Sequence, residues 1–165
     1  MEAPAGYTRS QIVLHWLIAA LVAFQFLASD GIEAAWRAFI RTQVVGDAFS
    51  ALALAHIVVG ITILLLVGAR LWLRLKHGAP APDPAEPRVL QWLAKLAHFA
   101  LYVVLIILPL SGLVGWVFGQ SQPIEVHQIA KTILLVLVGL HLLGVLFHQF
   151  IWKTGVLRRM FVPVK

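Results

Sequence analysis

The chain contains no cysteine, which excludes disulfides, iron–sulfur ligation, thiolate zinc sites and covalent c-type haem attachment. Charge is scarce as well: 12% of the 165 residues are charged, against 61% that are hydrophobic. A soluble domain of this length has too much surface for its volume to hide that many apolar side chains, so composition alone points to the membrane and a lipid-bilayer environment. The formal net charge is +6, but the basic residues occupy short segments between apolar runs. That distribution marks membrane topology rather than a nucleic-acid-binding face, and no nucleic-acid partner is expected.

Four apolar runs cover residues 12–28, 51–69, 96–118 and 126–152. Each approaches or exceeds the roughly 17–25 residues that a helix needs to cross a hydrocarbon core. The expected fold class is therefore all-α, an integral membrane four-helix bundle formed by one domain over residues 1–165. The first run follows a short polar start but contains His15 and Gln25 and lacks a clear small-residue cleavage site, so it reads as a retained helix rather than a signal peptide. The fourth is longer than a span requires and is expected to tilt or project. Residues 29–50 read as a mixed loop, with 36–40 at the membrane interface. In the connection 71–95, the proline-rich stretch 78–87 favours an extended linker. Residues 119–125 read as a tight turn.

Lysine and arginine counts set the expected orientation. Arg9, Arg70, Arg74, Lys76, Arg88, Lys95, Lys153, Arg158, Arg159 and Lys165 lie on one side; only Arg37, Arg41 and Lys131 lie on the other. This asymmetry places both termini and the middle connection in the cytoplasm. Trp16, Trp72, Trp92, Trp116 and Trp152 near the span ends form the expected aromatic belt.

Of the seven histidines, His15, His56, His98, His127, His141 and His148 lie within or at the edge of a span. Ionisable side chains in a bilayer are costly and mark function when they recur. His127 and His141 are fourteen residues apart, about 21 Å of helical rise, and return to within ~40° of the same face. The alternating direction of the spans lets His56 meet His127 at one depth and His15 meet His141 at the other. Two neutral imidazoles on opposite faces of an iron porphyrin make a six-coordinate centre suited to electron transfer. Zinc or copper in a histidine-lined transporter is the competing chemistry, but such sites usually add carboxylates or thiolates. These spans hold no Asp or Cys, and Glu125 is the nearest acid, at a turn. Gly60, Gly139 and Gly144 are candidates for the close approach of a flat macrocycle, with plain helix packing as the alternative.

The segments Leu14-His15-Trp16-Leu17, Ala55-His56 with Gly60, His127, and Gly139-Leu140-His141 with His148 resemble the bacterial cytochrome b561 family. So do Ala97-His98-Phe99-Ala100-Leu101-Tyr102, Leu108-Pro109-Leu110-Ser111-Gly112 and the ending Trp152-Lys153 to Leu157-Arg158-Arg159-Met160. The resemblance spans nearly the whole chain. It implies two haems b as cofactors, with iron held by His15 and His141 near the cytoplasm and by His56 and His127 near the periplasm. It also implies electron exchange with a quinone pool, with ubiquinone as the expected substrate. In length and ending the chain looks like the superoxide oxidase branch, which implies an oxidoreductase that takes electrons from superoxide at the periplasmic face. A membrane-anchor cytochrome b subunit, fed by a partner dehydrogenase or periplasmic cytochrome, is the alternative.

Around the four axial candidates, His148 and His98 are candidates for the quinone site, His98 equally for a structural role. Arg70 and Arg74 satisfy positive-inside anchoring and are candidates for haem propionate contacts. Lys131, one turn after His127, is a candidate for a propionate on the other side or for an incoming anion, unless it snorkels to the interface. Asp30, Glu33, Asp47 and Glu125 outnumber the bases on that side. Pro109 is expected to kink the third span.

Overall fold

The structure is a computed structural model and describes residues 4–44, 49–82 and 86–164. Asp47, Lys165 and residues 83–85 of the proline-rich linker lie outside the described residues. Among the described residues six helices follow in order: α1 Arg9–Leu27, α2 Asp30–Thr42, α3 Ala51–His77, α4 Arg88–Phe118, α5 Ser121–Phe150 and the short α6 Val156–Arg159. Four of them, α1, α3, α4 and α5, are long and apolar enough to cross a membrane. Large side chains such as Leu65, Leu135 and Leu143 stay largely exposed on these helices, which suits surfaces solvated by lipid tails.

Local chemistry sets the helix ends. Thr8 caps α1: its hydroxyl accepts from Gln11 N–H at 3.3 Å, and the Gln11 side-chain carbonyl accepts from Thr8 N–H at 2.9 Å. This reciprocal box satisfies two donors that the first turn leaves free. Ser50 caps α3 by accepting from Ala53 N–H at 3.3 Å. The C-terminus of α3 gathers Arg74, Lys76 and His77 in its last turn, where positive charge complements the helix dipole. Gly119 ends α4 with φ 62°, a left-handed conformation that glycine adopts without strain.

Two expectations about connections need correction. Residues 29–50 are not mainly loop, because α2 occupies thirteen of them. Ile32, Ala35, Trp36 and Phe39 recur at helical spacing, Asp30 and Glu33 sit in the first turn and Arg41 in the last. Periodicity and dipole both favour a helix there. The turn expected at 119–125 contracts to Gly119 and Gln120, because α5 begins at Ser121. Pro123 lies in the first turn of α5, where its missing N–H costs no helical bond. Glu125 is therefore helical rather than part of a turn.

The spanning helices alternate in direction. They define a terminal end, with residues near both chain ends and the middle connection, and a distal end with α2. Backbones pack closely in the pairs α1 with α3, α3 with α4 and α4 with α5. The backbone of α5 stands off from α1 and α3, and side chains bridge that space. At mid-depth Ile18, Ile63 and Val67 form a buried core, joined by Leu21, Val59, Tyr102 and Leu105. Interhelical hydrogen bonds add to this packing. Gln11 Nε2 donates to the Gly78 carbonyl at 3.1 Å, Arg70 Nη1 donates to the Gln11 carbonyl, and Gln25 Nε2 donates to the His56 carbonyl at 2.8 Å. Such bonds average about 0.6 kcal/mol each inside membranes.

Candidate functional site

Helix direction brings the histidines into two layers. At the distal end, His56 lies in the second turn of α3 and His127 in the second turn of α5, with ring centroids 6.3 Å apart. At the terminal end, His15 of α1 and His141 of α5 face each other, also at 6.3 Å between centroids. A metal–imidazole bond is about 2 Å and the ring centre lies about 1 Å beyond the bonded nitrogen, so one ion shared by two rings separates their centres by about 6 Å. Both pairs meet that spacing. Among the described residues, no group of three or more His, Cys, Asp or Glu converges as a metal-binding cluster. A porphyrin, which brings its own equatorial nitrogens, fits a two-histidine donor set; a bare zinc or copper ion is poorly served by it.

Space accompanies the distal pair. A cavity of about 420 Å³ is lined by Gln25, His56, Gly60, Gly112, His127 and Lys131 among others, a size within the usual range for small-molecule and cofactor sites. The His127 ring is held from behind: its Nδ1–H donates to the Leu108 carbonyl of α4 at 2.7 Å. That bond assigns the proton to Nδ1 and leaves Nε2 with a free lone pair for a metal. Gly112 makes the approach feasible, since a Cβ there would lie 2.7 Å from His127 Nδ1. By contrast, Cβ atoms at Gly139 and Gly144 would meet nothing within 4 Å, and at Gly60 only the Gln25 amide, at 3.3 Å.

Lys131 reaches across to α2 and pairs with Glu33 at 3.2 Å. Glu33 also faces Arg37 at 3.7 Å, so one carboxylate serves two of the three cations counted on this side. Trp36 of α2 stacks near Trp116 of α4 at 6.3 Å, closing an aromatic wall beside the same cavity. The amphipathic helix is thus part of the site, which the sequence reading placed only at the interface.

The terminal layer has a third ring. His98 of α4 lies 5.3 Å from His141, edge to face, and donates its Nδ1–H to the Ala94 carbonyl one turn back at 2.6 Å. His148 stands two turns beyond His141. Its Nδ1 is 3.1 Å from Thr154 Oγ1 and its Nε2 is 3.4 Å from Glu86 Oε1. Glu86 is itself buried, brought there by the proline-rich linker. Arg70 is committed to the Gln11 carbonyl near this end, and Arg74 is half-buried in the last turn of α3.

Sequence reasoning thus anticipated the two ring pairs, whereas the contacts made by Glu86, Thr154, Glu33 and Leu108 entered only through the fold. The available signals were slight. Glu86 is an acid flanked by prolines, and Glu33 lies one turn before Arg37. A backbone carbonyl partner such as that of Leu108 leaves no residue-type signature at all.

The sequence profile of the prokaryotic cytochrome b561 family matches residues 6–163. Among its relatives, cytochrome b562 of Cereibacter sphaeroides is 32% identical over 167 aligned residues, covering 99% of each chain. A probable superoxide oxidase of Yersinia pestis is 26% identical, with 93% of this chain and 94% of that one aligned. Cytochrome b561 homolog 1 of Escherichia coli K12 is 25% identical, covering 93% of this chain and 96% of its own. Four apolar spanning helices, histidine pairs at iron-sharing distance and a match along almost the full length lead to one assignment: the chain belongs to the prokaryotic cytochrome b561 family of membrane electron-transfer proteins, which bind b-type haem.

Proposed function

We propose that the chain carries electrons across the bacterial inner membrane between a donor at its distal, periplasmic end and ubiquinone at its terminal, cytoplasmic end. Two b-type haems, one between His15 and His141 and one between His56 and His127, supply one-electron redox centres when bound. The observation that carries this reading is the equal 6.3 Å spacing of the two ring pairs. The terminal end holds the excess of lysine and arginine, which supports a cytoplasmic assignment for both termini. The decisive measurement is haem content with the oxidised and reduced absorption spectra of the purified protein. Two b-type haems per chain are expected; none, or one, would overturn the assignment.

The protein's own groups have separable tasks. His127 is oriented by the Leu108 carbonyl, and apolar side chains such as Val22, Ile57 and Leu134 make up most of the wall around the distal pair. His148, whose ring nitrogens face Thr154 Oγ1 at 3.1 Å and Glu86 Oε1 at 3.4 Å, is the proposed group that turns to hydrogen-bond a quinone carbonyl and pass a proton to it; His98 lies against the adjoining layer. A positioned acid–base group contributes typically 10²–10⁴-fold. Changing His148 to leucine is expected to slow ubiquinone-dependent electron uptake at least about tenfold with both haem spectra intact. An unchanged rate removes His148 from the quinone site.

Superoxide is the proposed donor, supported by the similarity to a probable superoxide oxidase. Two superoxide anions give up one electron each and leave as dioxygen; one ubiquinone takes both electrons and two protons. Anion approach would depend on Lys131 and Arg37, which Glu33 partly neutralises. Glu33→Gln is therefore expected to raise superoxide-driven quinone reduction severalfold at low salt, with the gain vanishing at high salt. The pairs are exposed enough that stability should fall by less than about 1 kcal/mol. If superoxide drives no quinone reduction while both haems remain bound, the donor is a partner protein and the chain acts as its membrane anchor.

A further inference from the structure

The two rings of the distal pair are treated differently by their surroundings. His127 Nδ1 has the Leu108 carbonyl at 2.7 Å, whereas His56 Nδ1 is buried with no hydrogen-bond partner. Among the described residues, the other buried side-chain polar atom without a partner is Gln25 Oε1. The two residues are in contact, because Gln25 Nε2 donates to the backbone carbonyl of His56 itself at 2.8 Å. That bond also settles which end of the amide is which: only the NH₂ group can face a carbonyl, so the oxygen is the free end. A neutral imidazole that offers Nε2 to a metal carries its proton on Nδ1 and is a donor there. One atom is thus an orphan donor and the other an orphan acceptor. Leaving both unpaired in a membrane interior costs each group its desolvation penalty.

We propose that Gln25 is the positioning residue for His56: its carbonyl oxygen accepts from His56 Nδ1–H, directly or through one water, and holds the ring in the tautomer that presents Nε2 to iron. This rests on the two-haem reading above. Gln25 sits in the same cavity wall as His56 and Gly60, and the 3.3 Å clearance between its amide and a Cβ at Gly60 leaves no room for a larger residue there without moving the amide. A hydrogen bond accepted from a ligand imidazole raises that ligand's basicity, which favours the oxidised metal and lowers the potential of the distal haem alone.

Potentiometric titration of the intact protein in detergent or lipid tests this. Gln25→Leu removes the acceptor and is expected to shift the reduction equilibrium of one haem about tenfold towards the reduced form, about 59 mV for a one-electron couple. Gln25→Glu keeps an acceptor while losing the donor to the His56 carbonyl, and is expected to shift the same haem the opposite way. The low-spin ferric electron paramagnetic resonance signal of that haem should move with it, and the other signal should stay. If Gln25→Leu fails to retain the haem, the sign of the Gln25→Glu shift decides. Two bound haems whose potentials stay put in both variants, or both move together, overturn the role of Gln25 and leave the haem assignment standing. Absence of two haems in the parent protein would instead remove the haem assignment itself.

Discussion

Replacing His127 with leucine is expected to remove one haem per chain and leave the other in place with an unaltered spectrum. The argument rests on geometry at both ends of the bundle. His56 and His127 face each other at 6.3 Å between ring centres, and no third histidine lies against them in the aromatic contacts of that layer. Loss of either ring leaves a single axial donor in an apolar cavity. The His15–His141 pair lies about 21 Å away along α5, fourteen residues further on, and is separated by the Ile18–Ile63–Val67 core. Sites that far apart with no shared partners are expected to respond independently. A pyridine haemochrome assay should therefore fall from two haems to one. Loss of both haems would indicate that the layers are one cooperative unit, and retention of both would exclude His127 as a ligand. His141→Leu is a contrasting case, because the His98 ring lies 5.3 Å from His141 and is a neighbouring imidazole that the distal layer lacks.

Gly112→Ala is expected to weaken distal haem retention more than any other single-methyl addition in the bundle. The added Cβ would lie 2.7 Å from His127 Nδ1 and 2.9 Å from Cε1, inside van der Waals contact of a ring that cannot fold away. Relief requires the ring to tilt or α4 and α5 to separate, and either motion lengthens the bond to the Leu108 carbonyl. Overpacking of this kind costs typically 1–3 kcal/mol, or about five- to 150-fold in haem affinity if the strain falls on the bound geometry. The same substitution at Gly68, where nothing lies within 4 Å, is the control. Competitive haem transfer to an apoprotein acceptor reads the difference. Equal retention in the two variants would show that α4 and α5 adjust at no cost.

The sequence expressed the bundle and the pairing of its histidine rings because both depend on simple periodicities. Long apolar runs determine spans, and fourteen residues on one helix fix both the separation and the shared face of His127 and His141. Alternating span direction then decides which rings meet. The details that escaped are those that depend on tertiary approach. Helix α2 was hidden because its apolar positions are interleaved with charges, so it does not resemble a span. Gly112 stands three residues after Pro109 in a run that reads as a plain span, while its close neighbour, the His127 ring, is fifteen residues further along the chain and reaches it only because α5 packs on α4. Gln25 argued only against a cleavable leader. Its relation to His56 spans thirty-one positions and depends on how α1 packs on α3. Glu86 reaches His148 through a linker whose prolines define stiffness but not destination.

The mid-depth core has an electrical consequence. Between the histidine layers, Ile18, Ile63, Val67 and their neighbours present aliphatic surface, with the Tyr102 hydroxyl as the one polar group of that cluster. Apart from Tyr102, the described residues of this cluster carry no titratable side chain that could relay protons through it. On the proposed two-haem reading, electrons passing between the layers would travel without compensating protons, and each would displace net charge across the insulating slab. A full crossing couples to the membrane voltage at about 2.3 kcal/mol per 100 mV. The same greasy contacts that hold the helices together thus act as a capacitor's dielectric, and the turnover rate should depend on the polarity and size of the voltage imposed on a sealed vesicle.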